Sequence, residues 1–528
     1  MNGPITYLDA NVMVGPAEWV GAGHPTSVPA LTEAMDHFGI HEALVRDAIG
    51  EMGSAAGANA HILEVTRGNP RLHPVWMLLP PYTHELPPPR ELVAQMREHA
   101  VGAAWLSYGA FGLPLAEWLF GDMLAPLAEA RVPVFLSPLD ARDGHRPDAT
   151  DWSGVVRVCQ AFPDLPVIVT ECRVYKDQRA LWAALAQCPN LHLDISILWP
   201  SRAVDYLARE FGAKHLVFAT QLPRRTPGAV RMQLDYADLT PEDLARIAGG
   251  TMRELISWHG KYVDRTADVL FPEPLDRLHR AARERADLSG ERFFDCHGHV
   301  GRQNQRHVCL KGVDELVAEM DKLGVRQCCL FPLLGFGDTA ANNDIAFDAV
   351  QRFPDRFVGF TLINPNHGLA EARRELERGR QRGLRGVKML SGIHHPDYGH
   401  EVVRLGCQFA DEHKLFILNH TWGPAEGLRR LLEAYPGACY ISGHSTEAYG
   451  DLVRDFPNLF ICTCPFLAWN QTEQYVARYG AERLLFGSDL QDLPIGWGTG
   501  PICYARIPEA DKRKILGGNL EKLLQVYG

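Results

Sequence analysis

A His-x-His pair, His297 and His299, follows an apolar run that begins at Phe293. Side chains two positions apart on a strand point the same way, so both imidazoles would face one point. Imidazole nitrogens are common ligands of zinc and other transition metals. On an isolated surface loop such a pair carries little meaning, but directly after an opening strand it predicts a metal site.

Three further residues of metal-binding type end later apolar runs in the same half of the chain, namely His420, His444 and Asp489. Taken singly, each is also consistent with a hydrogen-bonded residue of the core or rim. Burying all of them together without a ligand would cost free energy, so we predict that they converge on one divalent cation. Imidazole and carboxylate ligands together suit zinc, manganese or iron.

The apolar runs that precede these residues alternate with helix-like stretches about eight times in each half of the chain. Short, nearly continuous apolar runs are typical of parallel strands that are covered on both faces. The alternation predicts an α/β protein with two tandem (β/α)8 TIM barrels, in which catalytic groups follow the carboxyl ends of the strands. A doubly wound open sheet is the alternative.

The two halves repeat each other with a period of about 270 to 285 residues. Their first apolar runs both end in aspartate, at Asp9 and at Asp295, and later runs match in the same order. Such internal repetition indicates duplication of a whole structural unit. We predict one barrel over residues 1–260, a helical linker over 261–290 and a second barrel over 291–528.

Composition and charge exclude some functions. The 528 residues are 46% hydrophobic and 22% charged with a net charge of −11, which is ordinary for a globular protein and gives no basic footprint for nucleic acid. The sequence shows neither a signal peptide nor an apolar run that would span a bilayer, so we predict a cytoplasmic protein without a membrane partner. Cysteines such as Cys462 and Cys464 are interpreted as core thiols.

With these features, residues 293–528 resemble the amidohydrolase superfamily, in the branch of aminocarboxymuconate-semialdehyde decarboxylase and related decarboxylases, lactonases and hydrolases. The resemblance rests on the His-x-His pair, the two later histidines and the closing Gly-Ser-Asp at 487–489. It implies that His444 binds or polarises the metal-bound water or substrate and that Asp489 also shuttles a proton. It further implies that one divalent metal is held by His297, His299, His420 and Asp489.

Lys388 ends the fourth apolar run and bears on the number of metals. In binuclear members of the superfamily, a carboxylated lysine at this strand bridges two metals, whereas one metal is usual in the branch that this chain resembles. We predict a single zinc ion, with manganese or iron as other candidates. A second metal bridged by Lys388 is the less favoured alternative.

The predicted function is hydrolysis of an amide, ester or lactone bond in a small molecule by metal-activated water. Two alternatives stay open: a metal-dependent non-oxidative decarboxylase of a small carboxylic acid, and a non-catalytic binding protein with a structural metal. Loops after barrel strands set specificity, so we predict four substrate-binding residues. They are His394, His395, Arg302 and Trp422.

The first half lacks the predicted metal ligands. The positions of the two opening histidines correspond to Asn11 and Met13, and Lys388 corresponds to Trp105. His420, His444 and Asp489 correspond to Pro138 (Ser137 with a slip of one residue), Cys172 and Gln221. We predict a degenerate barrel without metal. One hypothesis is that it serves as a built-in partner subunit, a pseudo-dimer within one chain, with Arg173, Lys176 and Arg179 as candidates to reach the active site. The alternatives are a solvated basic loop, a homodimer, and a barrel that binds a small ligand or another protein.

Overall fold

The computed structural model describes residues 5–17, 20–21, 23–138, 150–174, 176–304, 306–444 and 447–528. The chain divides into two compact units, of which unit 1 comprises residues 1–274 and 305–307 and unit 2 comprises residues 275–304 and 308–528. The main boundary, between Pro274 and Leu275, falls within the stretch 261–290 that the sequence marks as a linker. The charged helix predicted there forms as Arg277–Glu284 and belongs to unit 2.

Unit 1 is built from eight strands and the helices between them. Its strands are β1 Leu8–Val14, β2 Glu42–Asp47, β3 Leu72–Met77, β4 Ala103–Leu106, β5 Val134–Leu136, β6 Val167–Val169, β7 Leu191–Asp194 and β8 Leu216–Val217. Its helices are α1 Val28–Phe38, α2 Ala55–Thr66, α3 Pro89–Glu98, α4 Glu117–Ala130, α5 Trp152–Ala161, α6 Gln178–Gln187, α7 Ala203–Phe211, α8 Pro227–Asp235, α9 Pro241–Ala245 and α10 Thr251–Ile256.

Unit 2 repeats this order. Its strands are β9 Phe293–Val300, β10 Val325–Pro332, β11 Phe357–Leu362, β12 Gly386–Met389, β13 Phe416–Asn419, β14 Cys439–Ser442, β15 Leu459–Cys462 and β16 Leu484–Leu485. Its helices are α11 Arg277–Glu284, α12 Val313–Lys322, α13 Thr339–Arg352, α14 Gly368–Gln381, α15 Glu401–His413, α16 Ala425–Ala434, α17 Gly450–Asp455, α18 Gln471–Tyr479, α19 Ile495–Cys503, α20 Glu509–Arg513 and α21 Asn519–Leu523. Among the described helices, none has the length and apolar character needed to cross a membrane.

Each set of eight parallel strands is ordered as in the sequence and curls back on itself. In unit 1 the amide of Ala10 donates to the carbonyl of Phe218 at 2.9 Å, and in unit 2 the amide of Cys296 donates to Phe486 at 2.8 Å. These bonds join the first strand to the end of the last. The prediction of two tandem (β/α)8 barrels is confirmed, and the doubly wound open sheet is excluded.

The duplication extends to unusual backbone conformations. Gln221 and Asp489 follow the eighth strand of their units and adopt the left-handed region, with φ of 62° and 58°. Each unit also has a π-helical turn near its end, at Arg246–Gly250 and at Lys514–Gly518. Because a non-glycine residue in the left-handed region is strained, its recurrence at equivalent positions indicates that both barrels need this turn.

A buried aspartate at the first strand holds the last strand in both barrels. Asp295 accepts hydrogen bonds from the amides of His297 at 2.9 Å and Ser488 at 3.0 Å, and also from the Ser488 hydroxyl. In unit 1, Asp9 accepts from the amides of Asn11 and Thr220 and from the Thr220 hydroxyl. Burial raises the pKa of both carboxyl groups to about 7. Asp9 and Asp295, which end the first apolar run of each repeat, therefore hold the first and last strands of their barrels together.

We expect Asp295→Ala to lower the free energy of unfolding by about 3 kcal/mol, because it leaves two buried amides and a hydroxyl without an acceptor. Asp9→Ala should lower stability by a similar amount, whereas asparagine at either position, which keeps one carbonyl oxygen for the two amides, should cost less. Urea unfolding followed by circular dichroism measures these effects. Equal stability of the alanine variants and the parent protein would contradict this structural role of the two aspartates.

Candidate metal centre

The two histidines of β9 and Asp489 bring three ligand atoms together. The Nε2 atoms of His297 and His299 lie 3.2 Å apart, and the Asp489 Oδ1 atom lies 3.3 Å from the first and 2.7 Å from the second. All three side chains are buried. Ligands about 2.0–2.1 Å from a tetrahedral zinc ion stand about 3.3 Å from each other, so the spacing fits a shared cation.

The hydrogen bonds of the rings leave lone pairs pointing at this centre. The Nδ1 atom of His299 lies 3.2 Å from the carbonyl of Pro332, which can only accept, so Nδ1 carries the proton and Nε2 is free to bind. Burial, with the Lys388 charge, lowers the pKa of His297 to about 4 and so keeps its ring neutral. Asp489 Oδ1 has no well-directed hydrogen bond despite its short contacts. A cation would satisfy all three atoms.

Asp489 owes its position to the turn after β16. Its amide donates to the carbonyl of His297 at 2.8 Å, which fixes the backbone against the first strand. The left-handed φ of 58° is a conformation that aspartate tolerates better than most residues. Burial opposes ionisation of the Asp489 carboxyl, whereas positive charge beside it, on the imidazoles or on a cation bound between them, favours the anion.

His420 and His444 lie beside this group. The Nε2 atom of His444 is 3.0 Å from Nδ1 of His420, and the rings of His444 and His297 are 5.2 Å apart. The His444 Nδ1 atom lies 3.3 Å from the carbonyl of Cys464, so it carries the proton and Nε2 offers a lone pair. In the 3.0 Å contact this lone pair accepts from Nδ1–H of His420, so binding of a cation by His444 Nε2 would replace that hydrogen bond.

Lys388 lies in the barrel interior without a hydrogen-bond partner. Its Nζ atom is 4.0 Å from the centre of the Phe331 ring, and the same ring packs against His297 and His299. The side chain has no exposed surface, and burial lowers the pKa of its ammonium group to about 7. A nearby anion would offset the free-energy cost of burying this ammonium group. Asp489 is the main such neighbour, because its negative charge favours the ammonium form of Lys388.

The four predicted substrate-binding residues are placed differently from one another. His394 donates from Nε2 to the carbonyl of Leu334 at 2.7 Å, and His395 is half-buried and accepts from the Asp397 amide. Arg302 is exposed and lines a cavity of about 450 Å³ with Lys311 and Gln491. Trp422 is buried against the Tyr440 ring, and its indole N–H points to the carbonyl of Ile441 at 3.3 Å. The contacts of Trp422 are those of a packing residue, while the roles of the other three stay predictions.

Two cysteines that the sequence analysis interprets as core thiols face the histidines. The Sγ atom of Cys462 is 3.8 Å from Nδ1 of His297, and Cys464 Sγ groups with a His444 nitrogen and an Asp489 oxygen, all within 4.8 Å of one another. Both thiols are buried. The sequence contains a signal that these two thiols face the same way. Cys462 and Cys464 are two residues apart after an apolar run, as His297 and His299 are.

The sheet register of the two barrels fixes which residues correspond. It pairs the two opening histidines with Asn11 and Met13 and Lys388 with Trp105, as predicted. Counting along the fifth strands gives Ser137, rather than Pro138, at the position of His420. Counting along the sixth gives Glu171, rather than Cys172, at the position of His444. None of these residues of unit 1 offers an imidazole.

A guanidinium group takes the central place in the first barrel. Arg46 donates to Asn11 Oδ1 at 2.9 Å and lies 3.3 Å from Glu51 and 3.4 Å from Glu171. Its guanidinium stacks 3.8 Å over the Trp105 ring. By register Arg46 corresponds to Phe331, so cation and aromatic ring have exchanged positions relative to the Lys388–Phe331 pair of unit 2.

Arg173, one candidate for reaching another active site, stacks its guanidinium 3.8 Å over Trp199 in the same unit. This contact gives the side chain a local packing role in unit 1. Its predicted action on a neighbouring site, and that of Arg179, stays a prediction.

The comparisons with known proteins agree with this architecture. The sequence model of a family described as amidohydrolase matches residues 26–257 and 334–526, most of both barrels. No curated protein matches the chain. Among solved structures, the chain is similar to an uncharacterized TIM-barrel protein from Bordetella bronchiseptica, with 17% identity, a TM-score of 0.40 and coverage of 48% of this chain and 100% of that one.

Two further similar structures are decarboxylases. One is 5-carboxyvanillate decarboxylase from Sphingomonas paucimobilis, with 17% identity, a TM-score of 0.35 and coverage of 44% of this chain and 99% of that one. The other is 2,6-dihydroxybenzoate decarboxylase from Rhizobium, with 16% identity, a TM-score of 0.35 and coverage of 45% and 98%. Each spans about one barrel of the present chain.

Proposed function

Because the chain belongs to the amidohydrolase family, we propose that its second barrel is a divalent-metal-dependent hydrolase that cleaves an amide, ester or lactone bond of a small molecule. The observation that carries the proposal is the convergence of two imidazole nitrogens and a carboxylate oxygen within 3.3 Å of each other at the end of the barrel strands. The first barrel is proposed to be non-catalytic and metal-free.

The residues proposed to hold the metal are His297, His299, His420 and Asp489, with zinc as the first candidate. A divalent ion held there supplies Lewis acidity, which polarises a carbonyl oxygen and makes water more acidic. With three neutral imidazoles and one carboxylate as ligands, the site has a net positive charge when a divalent ion is bound. Such a site attracts a carbonyl oxygen or an anionic group of the substrate.

Asp489 is proposed to move the proton. As an anion beside the reacting water, its carboxylate takes the proton while the oxygen attacks the substrate carbonyl, and it returns the proton to the departing nitrogen or oxygen. The left-handed backbone of Asp489 and the hydrogen bond from its amide to the carbonyl of His297 hold the carboxylate in place during both transfers. The rings of His297 and His299 contact this buried carboxylate, and the Phe331 ring packs against both of them.

Non-oxidative decarboxylation is the second candidate, and Lys388 is the observation that favours it. A fully buried ammonium group without a hydrogen bond is costly unless an anion pairs with it. The carboxylate or phenolate of an aromatic acid would supply that anion. In this reaction the carbon that loses carbon dioxide must receive a proton, and Asp489 is the proposed donor after its carboxylate has taken a proton from solvent or from the substrate hydroxyl.

The two reactions are separated by one experiment. The metal-loaded protein is incubated in ¹⁸O-labelled water with a panel of esters, lactones, amides and aromatic carboxylic acids. Hydrolysis places ¹⁸O in the carboxylate product, whereas decarboxylation releases carbon dioxide and places no ¹⁸O in the remaining organic product. Turnover of the acids alone, with carbon dioxide release, would replace the hydrolase assignment by the decarboxylase one.

We expect one equivalent of zinc per chain, bound by unit 2. His299→Ala should weaken binding by more than about 100-fold, since loss of even an outer-shell partner costs 10–100-fold. Met13→Leu, at the matching position of unit 1, is the control and should leave binding unchanged. Metal analysis after dialysis against a competing chelator gives both numbers. Two equivalents in the parent protein would favour a binuclear site with Lys388, and none would refute the proposal.

A further inference from the structure

The thiol of Cys464 lies in the second barrel where the proposed metal residues meet. Its Sγ atom, a His444 nitrogen and an Asp489 oxygen are all within 4.8 Å of one another. In a tetrahedral site, zinc–sulfur bonds of about 2.3 Å and zinc–nitrogen bonds of about 2.1 Å place the two ligand atoms about 3.6 Å apart. The three atoms would therefore approach one another by up to about 1 Å to bind one cation.

The register of β15 explains why this thiol points inward. Cys462 and Cys464 are two residues apart, and Cys462 Sγ already touches the His297 ring at 3.8 Å. The matching position in unit 1 is Ser196, whose hydroxyl accepts a hydrogen bond at 2.9 Å from the side chain of Gln221, the counterpart of Asp489. In both barrels, therefore, the side chain two positions past the seventh strand (Ser196 or Cys464) lies beside the left-handed residue that follows the eighth strand (Gln221 or Asp489).

Two buried polar atoms near this thiol make no well-directed hydrogen bond with the part of the chain that the structure describes. Asp489 Oδ1 and Lys388 Nζ are buried without a hydrogen bond. Native interiors rarely leave such groups alone, and an unoccupied ion site is one of the usual reasons. Imidazoles and the Asp489 carboxylate alone leave a net positive charge on the site, and an added Cys464 thiolate would cancel it, which lowers the cost of placing a divalent cation in a buried site.

We infer that Cys464 supplies a thiolate ligand, together with His444 and Asp489, to the divalent cation of the second barrel. This inference rests on the proposed function, because it requires a cation at that centre. On binding, the thiol loses its proton to solvent and the sulfur forms a bond to the metal, without a change of oxidation state. Soft sulfur favours zinc, cobalt or cadmium over manganese and magnesium, so Cys464 makes this site selective for thiophilic cations.

Cobalt substitution tests the inference without any substrate. The full-length protein loaded with Co²⁺ should show the near-ultraviolet charge-transfer band of a cobalt–thiolate bond. Cys464→Ser should lose this band, keep the visible bands of bound cobalt and release one proton fewer on metal binding. Cys439→Ser is the matched control, because it changes another buried thiol at the opposite end of a strand, and it should retain the charge-transfer band.

The possible outcomes separate the two proposals. Visible cobalt bands without a charge-transfer band in the parent protein would overturn the role of Cys464 and leave the metal site standing. Failure of cobalt to bind at all would overturn both. A thiolate band that appears only with a second equivalent of cobalt supports Cys464 as a ligand but contradicts the single-metal assignment.

A second measurement does not depend on the folding of a variant. X-ray absorption spectra of the zinc-loaded parent protein should contain a sulfur scatterer at about 2.3 Å from the metal. A shell of nitrogen and oxygen alone would refute the inference. The ratio of zinc to manganese affinity should fall in Cys464→Ser by at least about tenfold, since a hard hydroxyl replaces the soft ligand.

Discussion

Asparagine in place of Asp489 should reduce turnover by about 10²- to 10⁴-fold, the usual contribution of a general acid–base group. The amide keeps the size of the carboxylate and can still bind through its oxygen, but it cannot take a proton from water and return it. Three imidazoles remain to hold the cation, so metal content should fall much less than activity. The measurement is kcat on any substrate found by the ¹⁸O panel, with metal content determined on the same sample.

The duplication supplies the control for this variant. Gln221 has the same left-handed backbone at the same place in unit 1, and Gln221→Asn should leave turnover unchanged. Full turnover in Asp489→Asn would remove the proton-transfer role. If no substrate is turned over by the parent protein while ligand binding survives Asp489→Asn, the site would instead hold a structural metal in a binding protein.

Methionine in place of Arg46 should destabilise unit 1 by about 3–5 kcal/mol, the cost of breaking a buried ion pair by removing one partner. The guanidinium and the carboxyl groups of Glu51 and Glu171 are almost fully buried, with side-chain exposures of 2%, 10% and 1%. Burial raises the pKa of Glu51 against the opposing charge of Arg46. Loss of the guanidinium removes one donor from the Glu171 carboxylate, which also accepts a hydrogen bond from the Ser137 hydroxyl.

Thermal unfolding measures the stability of each variant. A double variant then isolates the contribution of the ion pair between Arg46 and Glu171. Arg46→Met combined with Glu171→Gln should recover part of the loss, because the uncompensated charge is removed. Lys388→Met is the matched change in unit 2, and it should be neutral or stabilising, since that ammonium group has no hydrogen bond to lose. A fully stable Arg46→Met would show that the cation does not hold the first barrel together.

The exchange of Arg46 with Phe331 and of Trp105 with Lys388 gives a physical reason for the proposal that the first barrel binds no metal. Each unit keeps one cation and one aromatic ring in contact at the centre. In unit 1 the cation is part of the protein and binds Asn11 and Glu171, which occupy the positions of His297 and His444. A divalent ion placed there would meet a fixed positive charge, which opposes its binding.

Much of the fold and of the candidate site follows from the sequence by itself. Apolar runs that end in His299, His420 and Asp489 predict parallel strands, because only strands buried on both faces are apolar throughout. Parallel strands in a barrel bring their carboxyl ends to one mouth, so residues far apart in the chain are predicted to meet. The repeat likewise predicts a first barrel without imidazole ligands, since Asn11 and Met13 stand at the matching positions.

Only the tertiary structure decided which side chains face the centre and what each one touches. Register fixed Glu171 as the counterpart of His444, brought Cys464 to Asp489 and placed Arg46 over Trp105, while it gave Trp422 a packing role. The physical reason is that a strand's sequence period specifies alternation but not its alignment with neighbouring strands. That alignment arises from hydrogen bonds and packing between distant segments, and these determine which buried polar groups find a partner and which need a ligand.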